Sequence, residues 1–368
     1  MRHTHSQRLE RWIGTEQVEK ISVAMRDWYG PPVPVMNVPG RVYAARGGDF
    51  VGPIAGGFYS DLRDFSQQRM DRVWREFSRK QKGTLHAGFS SLSDLISEAT
   101  AGGKSQLLAF VIAGAAGVAA RSNSTWGVGS WPPIGAAGGT TGTGAVCNSA
   151  TTGALTQKNV SPDQLHVTTI TLQASVAGQI LLLYDRLWHM THTMTVDPRS
   201  CDAANVPTRY QTAALSPGNF FTGHVTTVLP AATPTITLDY VDQDGNNVTG
   251  PALSTIASAA AVNTVPFTAP NWFYPLATTD QGLRSLQNGA NAINLSAAMA
   301  SGVVTWAIGH PLAFCPVGAA NTPIIVDGIN SAFNLQRVYD DACLTFLELC
   351  KSATTATNWW GSLEMVSG

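Results

Sequence analysis

Charge is what this sequence has least of. Asp, Glu, Lys and Arg make up 13% of its 368 residues, against roughly 25% in an ordinary soluble domain. A surface so poor in charge is expected to be covered by partners, or to draw its polarity from hydroxyls and backbone. Long hydrophobic runs are missing too. The longest, residues 107–120, is broken by Gly114 and Gly117. It is too short to cross a bilayer and is expected to form a buried helix or a strand pair, with no membrane partner. The opening residues, MRHTHSQRLERWIG, carry charges every few positions and lack the apolar stretch of a secretion signal. There is no strongly basic block. Residues 1–104 hold 15 Lys and Arg against 11 Asp and Glu, a net of +4, and residues 105–368 hold 8 against 13, a net of −5. That balance argues against a nucleic-acid partner.

Cysteine is sparse. Cys147, Cys201, Cys315, Cys343 and Cys350 include no CxxC pair of the zinc or redox kind. Cys343 and Cys350 would lie two turns apart on one helix face. All five are expected to be reduced and buried, which suits assembly in a reducing cytoplasm.

Catalytic patterns are also absent. GGKS, residues 102–105, ends like a phosphate-binding loop, but the position needing its first glycine is Glu98, whose carboxylate would repel phosphate. VDQDGNN, residues 241–247, opens like a calcium loop. The closing bidentate Glu is missing, and the same letters make an ordinary hairpin turn. His189 and His192 are three apart, so in a strand they face opposite ways and do not share a metal. Asp340 and Asp341 are adjacent, which sets them apart in a helix. No GxSxG elbow or nucleophilic cysteine motif occurs. No catalytic residue, cofactor or metal site is assigned, and an enzyme is not expected.

What is present is a change of texture along the chain. The expected fold is α+β, mainly β: a helical N-terminal region with an extended arm (1–121), a Gly/Ser/Thr-rich loop (122–163), and a β-sandwich or jelly-roll-like domain with a C-terminal helix (164–368). Apolar residues at helical spacing predict helices over 7–28 (Leu9, Trp12, Ile13, Val18, Ile21, Met25) and 58–82 (Leu62, Phe65, Val73, Trp74, Phe77). Another is expected over 91–100, capped by Ser91 or Ser93 with Leu92, Leu95 and Ile96 inward. Between the first two, PPVPVMNVPGRVYA favours extended chain without ladder bonds, either an arm lying along a neighbour or a linker over the protein's own surface. Beyond residue 164, HVTTITLQA alternates, QILLLYDRLWHM reads as a strand buried on both faces, and VVTWAIGHPLAFCPV reads as a strand stopped by Pro311 and Pro316. Val338, Ala342, Phe346 and Leu349 fall on one helical face. Aromatics outside these elements are either satellite core or subunit contacts. The contact candidates are Trp28, Tyr29, Pro31, Pro32, Trp126, Trp131, Trp359 and Trp360, with Trp126 and Trp131 pinning their loop and Trp359 and Trp360 near a terminus that has little core to fill.

Two segments carry a resemblance. LLLYDRLWHMTHT, residues 181–193, resembles the YDRLxH strand of a class of tailed-bacteriophage virion proteins. TTDQGLRSLQN with VVTWAIGHPLAFCP, within residues 278–316, resembles that class's later D-x-G-(V/L)-R-S and RPLA strands, with His310 where Arg is usual. The resemblance implies a structural protein of the virion, a capsid decoration (cement) or minor head protein, assembled in the bacterial host cytoplasm. Its partners would be the major capsid protein and copies of itself, as a homo-oligomer, a trimer by expectation. Rival readings are the major capsid protein itself, or a tail or receptor-binding component.

Overall fold

The computed structural model describes the strands of residues 36–54 and residues 89–368, apart from 39–40 and 47–48 in the first stretch and 90, 101–102, 115–120, 140–142, 196–198, 202–205, 253, 269–270, 288, 329–334 and 351–355 in the second. The expected helices over 7–28 and 58–82 lie outside these residues. The chain divides into two compact units, residues 1–84 and 85–368. The first holds β1 (Met36–Val38), β2 (Arg41–Arg46) and β3 (Asp49–Ile54), an antiparallel sheet in that order. Met36–Val38 was expected to lack ladder bonds. It pairs instead with β2, Met36 opposite Tyr43, in a stretch that contains no proline of its own.

The second unit runs in chain order through α1 (Leu92–Thr100), β4 (Ser105–Ala113), β5 (Ser122–Ser124), a 3-10 turn (Thr125–Gly127), β6 (Ala145–Val146), β7 (Leu165–Ala174), β8 (Gln179–Thr193), β9 (Arg199–Cys201), β10 (Phe220–Thr227), β11 (Thr235–Asp242), β12 (Asn247–Thr249), β13 (Ser254–Thr255), β14 (Leu283–Leu286), β15 (Gly289–Leu295), β16 (Val303–Val317), β17 (Ile324–Asp327), β18 (Arg337–Val338), β19 (Leu344–Cys350) and β20 (Asn358–Ser367). All the strand pairs are antiparallel.

Three sheets result. A six-stranded sheet has the order β10-β16-β8-β19-β5, with β6 also on β8. A five-stranded sheet runs β17-β7-β20-β4, with β18 on β7. The third runs β12-β11-β15-β9, with β13 and β14 on β11. The fifteen-residue strands β8 and β16 pair along their full length and are the spine of the unit. Leu181 and Leu183 at one end, with Ala313 and Cys315, pack against Ile170, Leu172, Trp359 and Leu363 of the five-stranded sheet. Trp188 and Met190 at the other end, with Trp306 and Ile308, pack against Ile236, Leu238 and Ile293 of the third sheet. One strand pair thus serves two sandwich cores. That is why β8 is apolar on both faces and buried almost throughout.

Three further sequence expectations are corrected. No C-terminal helix forms. LTFLELC is β19, laid between β8 and β5, and the spacing of Val338, Ala342, Phe346 and Leu349 reflects burial on both faces rather than a helical stripe. Pro311 and Pro316 do not stop their strand. β10 covers β16 only as far as Gly309, and the register with β8 shifts beside Pro311, so the prolines sit where a lost donor is tolerated. In α1 the Ser91 cap is present, its Oγ accepting from Asp94 N at 3.1 Å, but only Leu95 faces inward, against Phe89 and Val366, and Leu92 and Ile96 are exposed.

Candidate interaction surface

β4 is the last strand of the five-stranded sheet, and its sequence SQLLAFVIA alternates in burial. Phe110 and Ile112 face the sandwich core. Leu107 and Val111, on the other face, are 70% and 43% exposed. Val111 stands opposite Trp360 of β20 on one side. On the other it makes a two-bond bridge to Trp131, N–H to C=O both ways at 2.9 and 2.8 Å. Directly opposed residues share a face. Trp131, Val111 and Trp360 therefore form one row across the sheet, with Trp131 61% exposed and Trp360 half-buried. Ile134, 60% exposed, follows Trp131 closely in the chain. Two of the aromatics singled out from the sequence meet here through a valine that was not.

The edge itself is open. Because Val111 spends its backbone groups on Trp131, its pair with Trp360 is the non-hydrogen-bonded kind. By the same alternation Leu107 and Ala109 turn N–H and C=O away from β20, where no described strand pairs with them. A cleft of about 220 Å³ lies along this edge, walled by Leu107 and Ala109, by Trp131 and Pro132, and by Ala154 and Leu155. β4 contains no charged residue. Glu364, opposite Leu107, is the acid that β20 places on this face. Further across come Thr169, Thr171 and Gln173 of β7, and then Ile325 of β17. The face is apolar and hydroxyl-bearing with little charge, the composition of the whole chain on a small scale.

The other candidates divide. Trp28, Tyr29, Pro31 and Pro32 lie outside the described residues. Trp126 is buried, its Nε1 donating to Ala136 C=O at 2.8 Å and the Arg186 guanidinium lying 4.5 Å over its ring. It does pin its loop, but from inside. Trp359 is 0% exposed, because the C-terminal strand runs between β7 and β4 and fills the sandwich core. The terminus has a core after all, and the two adjacent tryptophans, on opposite faces of one strand, have opposite fates.

The residues that carry the resemblance build the interior. Asp185 is fully buried and accepts from Arg209 Nε at 2.7 Å, Arg209 Nη2 at 3.0 Å and Cys343 N at 2.8 Å. Arg209 also donates to Cys147 C=O at 2.7 Å and to Asp341 at 3.0 Å. His310 stands opposite Asp185 in the strand register, yet its Nδ1 meets Asn219 Oδ1 at 2.7 Å and its ring stacks on Tyr210 at 3.8 Å. Burial lowers it to about 4, so it is neutral and the cation on Asp185 is Arg209.

The sequence patterns that hinted at ligands resolve into local structure. Asp242 Oδ1 accepts from Asp244 N and Asn246 N, both at 2.8 Å, and Gly245 takes φ +93°, which closes the β11–β12 turn. His192 Nδ1 accepts from Trp306 Nε1 at 3.1 Å. Lys104 pairs with Glu98 at 3.6 Å and with Asp163. Among the described residues no three His, Cys, Asp or Glu side chains gather as a metal site, and no helix is long and apolar enough to cross a membrane.

No family profile and no curated protein matches the chain. Among solved structures, similarity is found to the structure of infectious bursal disease virus, Gt strain, with 9% identity over 72% of this chain and 80% of that one, TM-score 0.16. The VP2 subviral particle of infectious bursal disease virus is similar at 12% identity over 71% and 79%, TM-score 0.15. At that level the likenesses carry no argument about fold or function.

Proposed function

We propose that this chain is a structural protein of a virion, a capsid decoration or minor capsid protein that stabilises a shell by binding it and copies of itself. The observation that carries this reading is the β4 edge. The Trp131–Pro132 loop blunts this uncharged strand at Val111, but it leaves the backbone of Leu107 and Ala109, two apolar side chains and a tryptophan exposed beside a cleft, where a stable monomer ordinarily completes the cover. A chain that repeats many copies around a shell has the opposite need, because each modest contact is multiplied by symmetry. The low charge and the phage-like YDRL and HPLA strands agree with that reading.

The test is binding to shells assembled without this chain, measured by co-sedimentation for the wild type and for the double variant Leu107→Glu, Trp131→Glu. The wild type should saturate the shell and the variant should bind at least tenfold more weakly while melting at the same temperature. A wild type that neither binds shells nor associates with itself overturns the reading.

A further inference from the structure

Cys147 and Cys343 are 196 positions apart in sequence, yet they occupy neighbouring places on one edge of β8. Cys147 N donates to Leu187 C=O at 2.9 Å, and Arg186 N donates to Cys343 C=O at 2.9 Å. β6 ends beside Cys147 and β19 begins beside Cys343, so the two strands follow one another along β8 with the cysteines at the junction. Adjacent places on a strand edge are a few ångströms apart, within the Cα separation that a disulfide spans. The two thiols are free and buried, and they share one cluster with Trp126 and Ala154.

Their surroundings distinguish them. The Arg186 guanidinium is buried over Trp126, and its Nε and Nη2 find no hydrogen-bond partner. A buried cation needs an anion, and the neighbouring carboxylate, Asp185, is already held by Arg209 through two bonds. Burial pushes the Cys147 thiol up, but the neighbouring Cys343 and His189 side chains and the Arg186 guanidinium outweigh it and hold Cys147 well below its usual value. Burial and the adjacent Cys147 push Cys343 well up. The thiolate is the nucleophile in sulfur chemistry.

We propose that Cys147 and Cys343 are a dithiol pair that a peroxide oxidises to an intramolecular disulfide, with Cys147 reacting first. The Cys147 thiolate attacks one oxygen of hydrogen peroxide. The O–O bond breaks, and the departing hydroxide takes a proton to become water, leaving a sulfenic acid. The Cys343 sulfur then gives up its proton and attacks the Cys147 sulfur. The S–O bond breaks and a second water leaves, so two thiols and one peroxide yield one disulfide and two waters. Both sulfurs are buried, but peroxide is scarcely larger than water, and β6, which runs directly into Cys147, is only two residues long and suited to local opening.

The experiment treats the folded full chain with hydrogen peroxide, blocks remaining thiols after denaturation, and maps peptides by mass spectrometry without reduction. The expected product is one cross-linked peptide joining Cys147 to Cys343, with a Tm raised by several degrees and returned by dithiothreitol. In Cys343→Ser, dimedone should trap a sulfenic acid on Cys147; in Cys147→Ser it should not label Cys343. If both cysteines remain fully alkylated after peroxide, if the cross-link joins other cysteines, or if dimedone labels Cys343 first, the proposal fails. The wild-type peptide map decides the matter even where a serine variant does not fold.

Discussion

Among the described residues, the buried charges carry structural weight. Asp185, with no exposed surface, is satisfied from three directions by Arg209 and the Cys343 amide. Removing one partner of such a pair strands the other in a medium that cannot solvate it, at a cost of about 3–5 kcal/mol. Asp185→Ala should therefore lower the stability measured by chemical denaturation by that amount, while Asp341→Ala, whose carboxylate is mostly exposed on the far side of Arg209, should cost under about 1 kcal/mol. Equal losses would show that the buried pair is not what anchors β8. The tryptophans give a second contrast. Trp359→Ala empties a site inside the sandwich and should cost about 3–5 kcal/mol. Trp131→Ala removes an exposed ring and should stay within about 0.5 kcal/mol while weakening association. Nothing in the sequence separates Trp131 from Trp359. The difference comes from long-range pairing, which places one at an edge and the other on a central strand.

Among the elements, β19 shows most clearly how burial overrides local pattern. Its run LTFLELC carries Glu348 into the interior, where neither carboxyl oxygen has a hydrogen-bond partner of good geometry. Burial lifts it to about 7, only partly offset by nearby Thr357 and Asn123. The unfolded chain releases that proton near 4.3. The folded state thus holds the proton over a window where the unfolded state does not, and stability falls as pH rises from about 4.5 to about 7, by up to roughly 3 kcal/mol. Glu348→Gln should remove this slope, melting several degrees above the wild type at pH 8 and level with it at pH 4.5. Parallel pH profiles for the two proteins would show that the carboxylate is solvated. HVTTITLQA was legible because its alternation and β-branching belong to strands, and QILLLYDRLWHM was read as a strand from its dense apolar run. β19 was not, because a short run apolar on both faces fits a strand and a helix equally well. The expectation that the run holding β4 is buried holds only for Phe110 and Ile112, and its place at an edge was not legible, since its neighbour β20 lies some 250 residues away in the chain.

At the scale of the whole molecule, the mainly β architecture and its sandwich packing could be read from the spacing of strands and turns. The sharing of β8 and β16 between two cores could not. It follows from strands long enough to outrun one sheet and from partners drawn from both ends of the unit. The low charge was visible at once, and one charge-poor surface is the outer face of the five-stranded sheet, where Leu107, Val111 and Trp131 stand along an edge bridged only at Val111 among the described residues. Burying a leucine on association contributes about 2 kcal/mol, so a contact built on this edge is modest singly and strong only when repeated. Sedimentation analysis of the full-length chain across the micromolar range, beside the Leu107→Glu, Trp131→Glu variant, tests this claim most directly. The expected result is concentration-dependent association of the wild type and a monomeric variant with an unchanged melting temperature. A wild type that stays monomeric, or a variant that associates as the wild type does, would contradict the account.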